Sequence, residues 1–203
     1  MPAQSTPKHP RDAARQPQGR RAVPRQRLRW RAVAAGLILV ALGLGAAWLV
    51  YGRSASTTGG IMTFSGLARD HVNGPISYPQ VPPVGGPHNP VWLNCGIYDQ
   101  PVPNENAVHS LEHGAVWITY QPNLSAADVA QLRSLVRGHA YVILSPYPGL
   151  PARVVASAWG AQLRATSADD PRLTQFIKTY EQGPQTPEPG APCSGGRGVP
   201  IVG

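Results

Sequence analysis

Residues 104–145, NENAVHSLEHGAVWITYQPNLSAADVAQLRSLVRGHAYVILS, pass twice from helical to extended patterning, and their reading decides the fold. Asn104 or Asn106 can cap a short helical piece that reaches His113, and Gly114 stands where helices commonly stop. Ala115 to Tyr120 is then apolar at nearly every position, as in a strand covered on both faces. Ser125 and Asp128 form a capping box, Leu124 and Val129 can staple it, and Val129, Leu132, Leu135 and Val136 recur at helical spacing before Gly138. Tyr141 to Ser145 returns to strand.

Working outward, Val91 to Tyr98 reads as a preceding strand. Arg153 to Leu163 reads as a following one, after the turn residues Pro146, Pro148, Gly149 and Pro151. Asp169 or Asp170 caps a last helix with Pro171 in its first turn and Leu173, Phe176, Ile177 and Tyr180 on one face. The order β, short α, β, α, β, β, α predicts an α+β fold: a small mixed sheet with two or three helices packed on one side of it, its strand order left open. Residues 71–90, HVNGPISYPQVPPVGGPHNP, are rich in Pro and Gly and belong in irregular surface structure.

The chain has 203 residues, with 18 Lys or Arg against 10 Asp or Glu, a formal charge of +8. The excess lies in a tail: residues 1–31 carry nine basic residues and one acid, and the remainder is balanced. No basic stripe survives in the part that can fold, so nucleic acid is not an expected partner. Residues 32–51, AVAAGLILVALGLGAAWLVY, hold no charge. At about 1.5 Å per residue they span roughly 30 Å, a bilayer core, with Trp30, Trp48 and Tyr51 at the boundaries. The basic flank puts the N-terminus in the cytoplasm and the rest outside. A cleaved signal peptide competes with this reading, since Ser54-Ala55-Ser56 fits a cleavage site, but the leader and apolar run are both long for one. The basic tail serves positive-inside topology or binds anionic headgroups, and the spacing of Ala41, Gly43, Gly45 and Ala47 suits helix packing in the bilayer.

The expected organisation is therefore a basic cytoplasmic tail (1–31), a single-pass transmembrane helix (32–51), a flexible linker (52–60), an extracytoplasmic domain (61–182) and a Pro/Gly-rich tail (183–203). Outside the cytoplasm, the two cysteines Cys95 and Cys193 are expected to pair and to pin the tail back onto the domain. Two free thiols, or one Cys as a metal ligand, are the alternatives.

Four of the six histidines, His71, His88, His109 and His113, fall in the loop-rich half. On a helix, His109 and His113 emerge on the same face, a spacing that lets two imidazoles meet one metal ion. Glu112 beside them could be a ligand, an orienting carboxylate or a general base. His88 ends a Pro/Gly loop able to hold a ligand over that helix, and His71 offers a fourth nitrogen. Zinc and copper both suit imidazole. For any one of these histidines, a bond to a backbone carbonyl is explanation enough; the set with Glu112 asks for more.

The spacing His109-Ser110-Leu111-Glu112-His113 also matches the H-x-x-E-H signature of inverzincin peptidases, but Gly114 and the following strand cut the helix short. A copper electron-transfer site using Cys95 lacks a downstream Met. Neither a phosphate loop nor a G-x-S-x-G elbow is present. Trp92, Trp117 and Trp159 read as core residues rather than a ligand platform.

The run His71, Tyr78-Pro79, Pro82-Pro83-Val84-Gly85-Gly86-Pro87-His88, Trp92, Gly96-Ile97-Tyr98, Pro101-Val102, Val108-His109-Ser110-Leu111-Glu112-His113-Gly114 and Tyr120 resembles an uncharacterised family of bacterial single-pass membrane proteins, a domain of unknown function. The resemblance covers about residues 65–182. It implies an N-terminal anchor and an extracytoplasmic domain, and no reaction. The family's Ser-Gly-Pro-His loop is here Gly85-Gly86-Pro87-His88, with the histidine kept. The expected function is a membrane-anchored, extracytoplasmic domain binding zinc or copper, with no reaction assigned. The alternatives are a non-catalytic envelope module docking on another membrane protein and, further off, a metal-dependent hydrolase. The lipid bilayer is the one partner the sequence itself implies.

Overall fold

In the computed structural model the described residues are 56–58, by backbone course, and 60–201. The expected transmembrane helix at 32–51 and the basic tail lie outside them; among the described residues no helix is long and apolar enough to cross a membrane. The strands are β1 (Ser56–Thr58), β2 (Ile61–Thr63), β3 (Gly96–Ile97), β4 (Val116–Tyr120), β5 (Val142–Pro146), β6 (Val154–Ala158) and β7 (Ala161–Ala165); the helices are α1 (Asn104–Glu112), α2 (Ala126–Val136) and α3 (Pro171–Tyr180). The strands make one mixed sheet in the order β1-β2-β7-β6-β4-β5-β3. Both β3 and β4 run parallel to β5, and the remaining pairs are antiparallel.

Strand periodicity divides the core in two. Val116, Ile118 and Tyr120 of β4 and Val142 and Leu144 of β5 point to one face, where they meet Leu132 and Val136 of α2 and Leu173, Phe176 and Ile177 of α3. Trp117 and Ile143 point to the other, against Ala107, Val108 and Leu111 of α1, with Leu93, Tyr98 and Trp159. The helices thus occupy both faces, not one side as the sequence order suggests. Double coverage is why β4, β5 and β6 are buried at every position and are largely apolar, with the buried hydroxyls of Thr119, Ser145 and Ser157 among them.

The local signals at α2 and α3 operate as read. Ser125 Oγ accepts from Asp128 N at 3.1 Å, and Asp170 accepts from Arg172 N at 3.0 Å with Pro171 next to it in the first turn. Helix α1 differs: Pro103 is its N-cap, and neither Asn104 nor Asn106 caps it. Asn106 is instead inside the helix, its amide donating to Val91 O at 2.5 Å.

Two expected strands change shape. Arg153–Leu163 is a hairpin, β6 and β7, joined by Trp159 and Gly160, because Gly160 takes φ +69 and reverses the chain. Of Val91–Tyr98, Gly96 and Ile97 form a strand of the sheet, and Tyr98 N extends the pairing by donating to Leu144 O of β5 at 2.8 Å. Leu93 N donates to Asn106 O of α1 and Asn94 N to Arg197 O, so the earlier part pairs with the helix and the C-terminal segment instead. At the other edge, Ser56–Thr58 pairs with Ile61–Thr63, so strand pairing begins inside the stretch read as linker.

The Cys95–Cys193 disulfide is formed, with the two Cα atoms 5.3 Å apart across 98 residues of chain. It pins the Pro/Gly-rich segment as a strap: Cys95 N donates to Cys193 O at 2.7 Å, Arg197 N to Trp92 O at 2.8 Å and Ile201 N to Ile97 O at 2.8 Å. These bonds satisfy the backbone of a segment that has no core of its own.

Candidate metal centre

Helix α1 is the foundation of the site. Its buried face packs on the sheet, and the residues one and two turns along, His109 and Glu112, project to the same side. Over them lies the Pro/Gly loop, held by a parallel bridge in which Val72 N donates to His88 O at 2.7 Å and His88 N to Asp70 O at 3.0 Å. That bridge sets His71 and His88 side by side. Gly85, at φ +139, is needed because a Cβ there would drive into Leu67 and the Trp159 ring.

His71, His88, His109 and Glu112 converge so that one ligand atom from each lies within 4.8 Å of every other. The imidazole of His71 stacks on that of His109 with centroids 4.8 Å apart, and His88 lies 4.8 Å from His109 and 5.0 Å from His71. His88, His109 and Glu112 are 0%, 4% and 1% exposed, while His71 faces solvent. Of the five residues expected as ligands, the structure brings these four together.

His113 stands apart from the four. Its ring is 4.5 Å from that of His109, but its Nδ1 meets Pro192 O at 2.7 Å and its Nε2 faces Glu188 Oε2 at 3.6 Å, both from the strap. Glu188 was missed in the sequence, although it is the single acid among residues 183–203 and lies five positions before a cysteine expected to pin that segment to the domain. Two tryptophans expected in the core also wall the site. Trp159 is edge-on to His88 at 5.9 Å, and the half-buried Trp92 contacts both His109 and His113. Trp117 is core as expected, fully buried with its Nε1 donating to Ser145 Oγ at 3.0 Å.

The proton bookkeeping of the cluster is specific. His88 Nδ1 lies 2.8 Å from Gly86 O and His109 Nδ1 lies 2.7 Å from Asn89 O. A carbonyl oxygen only accepts, so each Nδ1 carries the hydrogen and each neutral ring presents a bare Nε2 lone pair. This is the arrangement in which backbone carbonyls orient metal-binding imidazoles. No donor faces the buried Nε2 of His88, yet Glu112 Oε2 lies 2.9 Å from it. Two lone pairs at that separation need a positive centre between them, either a proton or a cation.

Electrostatics point the same way. Burial lowers the pKa of His88 and brings that of His109 down to about 4, so both rings are neutral near pH 7. Burial raises that of Glu112, which disfavours a bare carboxylate. With a cation absent, one proton between Glu112 and His88 is the arrangement that leaves neither group charged. A divalent ion held by His71, His88, His109 and Glu112 would take the place of that proton and offset the desolvation of the carboxylate. The donor set, imidazole nitrogen with one carboxylate oxygen, suits zinc or copper rather than calcium or magnesium. In a tetrahedral zinc site, ligand atoms at about 2.1 Å from the metal stand roughly 3.4 Å apart, so a pair at the 4.8 Å limit would draw in by about 1.4 Å, within reach of side-chain rotation.

The motif His109–His113 does not form the two-histidine clamp of an inverzincin, since the strap turns His113 to Pro192 and Glu188. No curated protein and no solved structure matches the chain. A family model described as protein of unknown function (DUF3105) matches residues 71–195, which takes in His71, the His88 loop, α1, the whole sheet from β3 to β7 and the disulfide-bonded strap. With well over half its length matched, from His71 to just beyond Cys193, the chain belongs to the DUF3105 family of proteins of unknown function.

Proposed function

We propose that this protein binds one transition-metal ion, zinc or copper, through His71, His88, His109 and Glu112, in a domain held outside the cytoplasm by a membrane anchor at residues 32–51. The observation that carries the metal reading is the 2.9 Å approach of Glu112 Oε2 to a buried His88 Nε2 whose Nδ1 is committed to a carbonyl. The disulfide supports an oxidising compartment. Three ligands are buried and His71 is exposed, so the side of the site at His71 is where a further ligand would reach the ion. No reaction is assigned.

The test is metal content by mass spectrometry on the full chain in detergent with its disulfide intact, beside His88→Ala and His109→Gln variants checked for folding by circular dichroism. One equivalent of a single metal in the parent, and little in folded variants, is the expected result. A parent that takes up neither zinc nor copper after incubation overturns the reading. Reporter fusions on either side of residues 32–51 test the topology.

A second reading, docking on another membrane protein, is favoured by Val199 and Ile201, which stand 90% and 50% exposed at the end of the strap. A docking module would melt at the same temperature with every ion, whereas a metal domain gains stability with one of them by linkage.

A further inference from the structure

The inner four ligands leave His113 and Glu188 unused, although His113 is one turn from His109 on the same helix and their rings are 4.5 Å apart. His113 Nδ1 meets Pro192 O at 2.7 Å, which leaves Nε2 as the ring nitrogen that faces Glu188 Oε2, 3.6 Å away. At 3.6 Å the pair is too long for a hydrogen bond. That separation is close to the roughly 3.4 Å that separates two ligands of one tetrahedral zinc ion. The His113 side chain is 4% exposed and that of Glu188 50%, so the carboxylate reaches water while the imidazole adjoins the inner cluster. Glu188 is also tied to the inner site through its backbone, its N–H donating to Glu112 O at 3.1 Å.

We propose that His113 Nε2 and Glu188 Oε2 form a second, outer position for a divalent transition-metal ion, through which metal exchanges with the inner cluster. This rests on the metal reading of the inner four residues. With two protein ligands and water for the rest, the outer position binds more weakly than the inner one and releases its ion readily. It also gives the strap a role beyond covering α1, because the strap supplies both Glu188 and the carbonyl that aims His113.

The experiment titrates the full chain in detergent, disulfide intact, with zinc ion alone against a chromogenic competitor, and follows transfer of zinc to that competitor. The parent is expected to take a tight equivalent and then a weaker one. Glu188→Gln should keep the tight equivalent, weaken the second by about 10- to 100-fold and slow the transfer. His139→Gln, at the other partly exposed His–Glu pair, should change neither. A single binding stage in the parent, a second stage unaltered in Glu188→Gln, or loss of the tight equivalent in that variant each overturns the outer position and leaves the inner reading standing. Absence of any tight equivalent in the parent instead removes the inner site, and the outer position with it.

Discussion

Replacing Glu112 by Gln should push the metal-free and metal-bound states of this domain in opposite directions. In the metal-free protein the buried Nε2 of His88 lacks a donor unless Glu112 keeps a proton, and burial already raises the pKa of that carboxyl. A Gln side chain at the same 2.9 Å can donate an amide N–H to Nε2 without a proton being taken from solution. Satisfying one buried acceptor is worth roughly 1–3 kcal/mol, so Glu112→Gln should melt at or above the parent when both are stripped with chelator. The sign with pH follows from linkage. A carboxyl whose folded pKa is raised contributes stability that is complete below the ordinary Glu pKa and is lost as pH rises, so the advantage of Gln should widen from about pH 5 to about pH 8. Metal affinity should move the other way, because an uncharged amide is a poor ligand; a loss of at least 100-fold, near 2.7 kcal/mol, is expected. Thermal melts in chelator at the two pH values and competitive zinc titration read both effects. A metal-free variant less stable than the parent by more than about 1 kcal/mol, at either pH, would refute the argument, since it would make the Glu112–His88 contact a stabilising pair in its own right.

Removing the disulfide by Cys193→Ser frees a 98-residue loop and should cost about 4–5 kcal/mol on the entropic account, read as a lower unfolding midpoint in denaturant. The same variant should release Pro192 O from His113 and so loosen zinc at the outer position more than at the inner one, measured by the two-stage titration. For the metal-free parent, His109 has its pKa lowered from 6.5 to about 4, so its contribution is complete above pH 6.5 and is lost as pH falls toward 4, by up to about 3 kcal/mol. His88 acts in the same direction and Glu112 opposes them, which chelator-treated melts across that window would resolve into a net loss on acidification. Gly114→Ala should destabilise by about 1–3 kcal/mol, because φ is +95 there and the added methyl meets the side chains of Gln182, just after α3, and Thr186, in the strap; an unchanged melt would mean that these side chains yield.

Where the chain could be understood alone, the controlling physics was local. The capping box at Ser125, the Pro171 helix start, the reversal after Gly114 and the apolar runs of β4 and β5 are read from neighbours in sequence, as is the placement of His109 and Glu112 on one side of a short helix. The pairing of Cys95 with Cys193 followed from their number and from the compartment expected for them. What tertiary structure decided was long-range. Helices cover both sheet faces because β4 and β5 are apolar in both registers of their pleat, a fact consistent with several arrangements until α1 is placed. His71 was brought into the inner cluster through its bridge to His88, seventeen residues on, and His113 was drawn away by a carbonyl 79 residues distant. An imidazole at a helix end can rotate toward either side at little cost, so its partner is chosen by whatever backbone arrives there. Sequence spacing determines which side chains can meet; the pinned strap and the bridged loop determine which do.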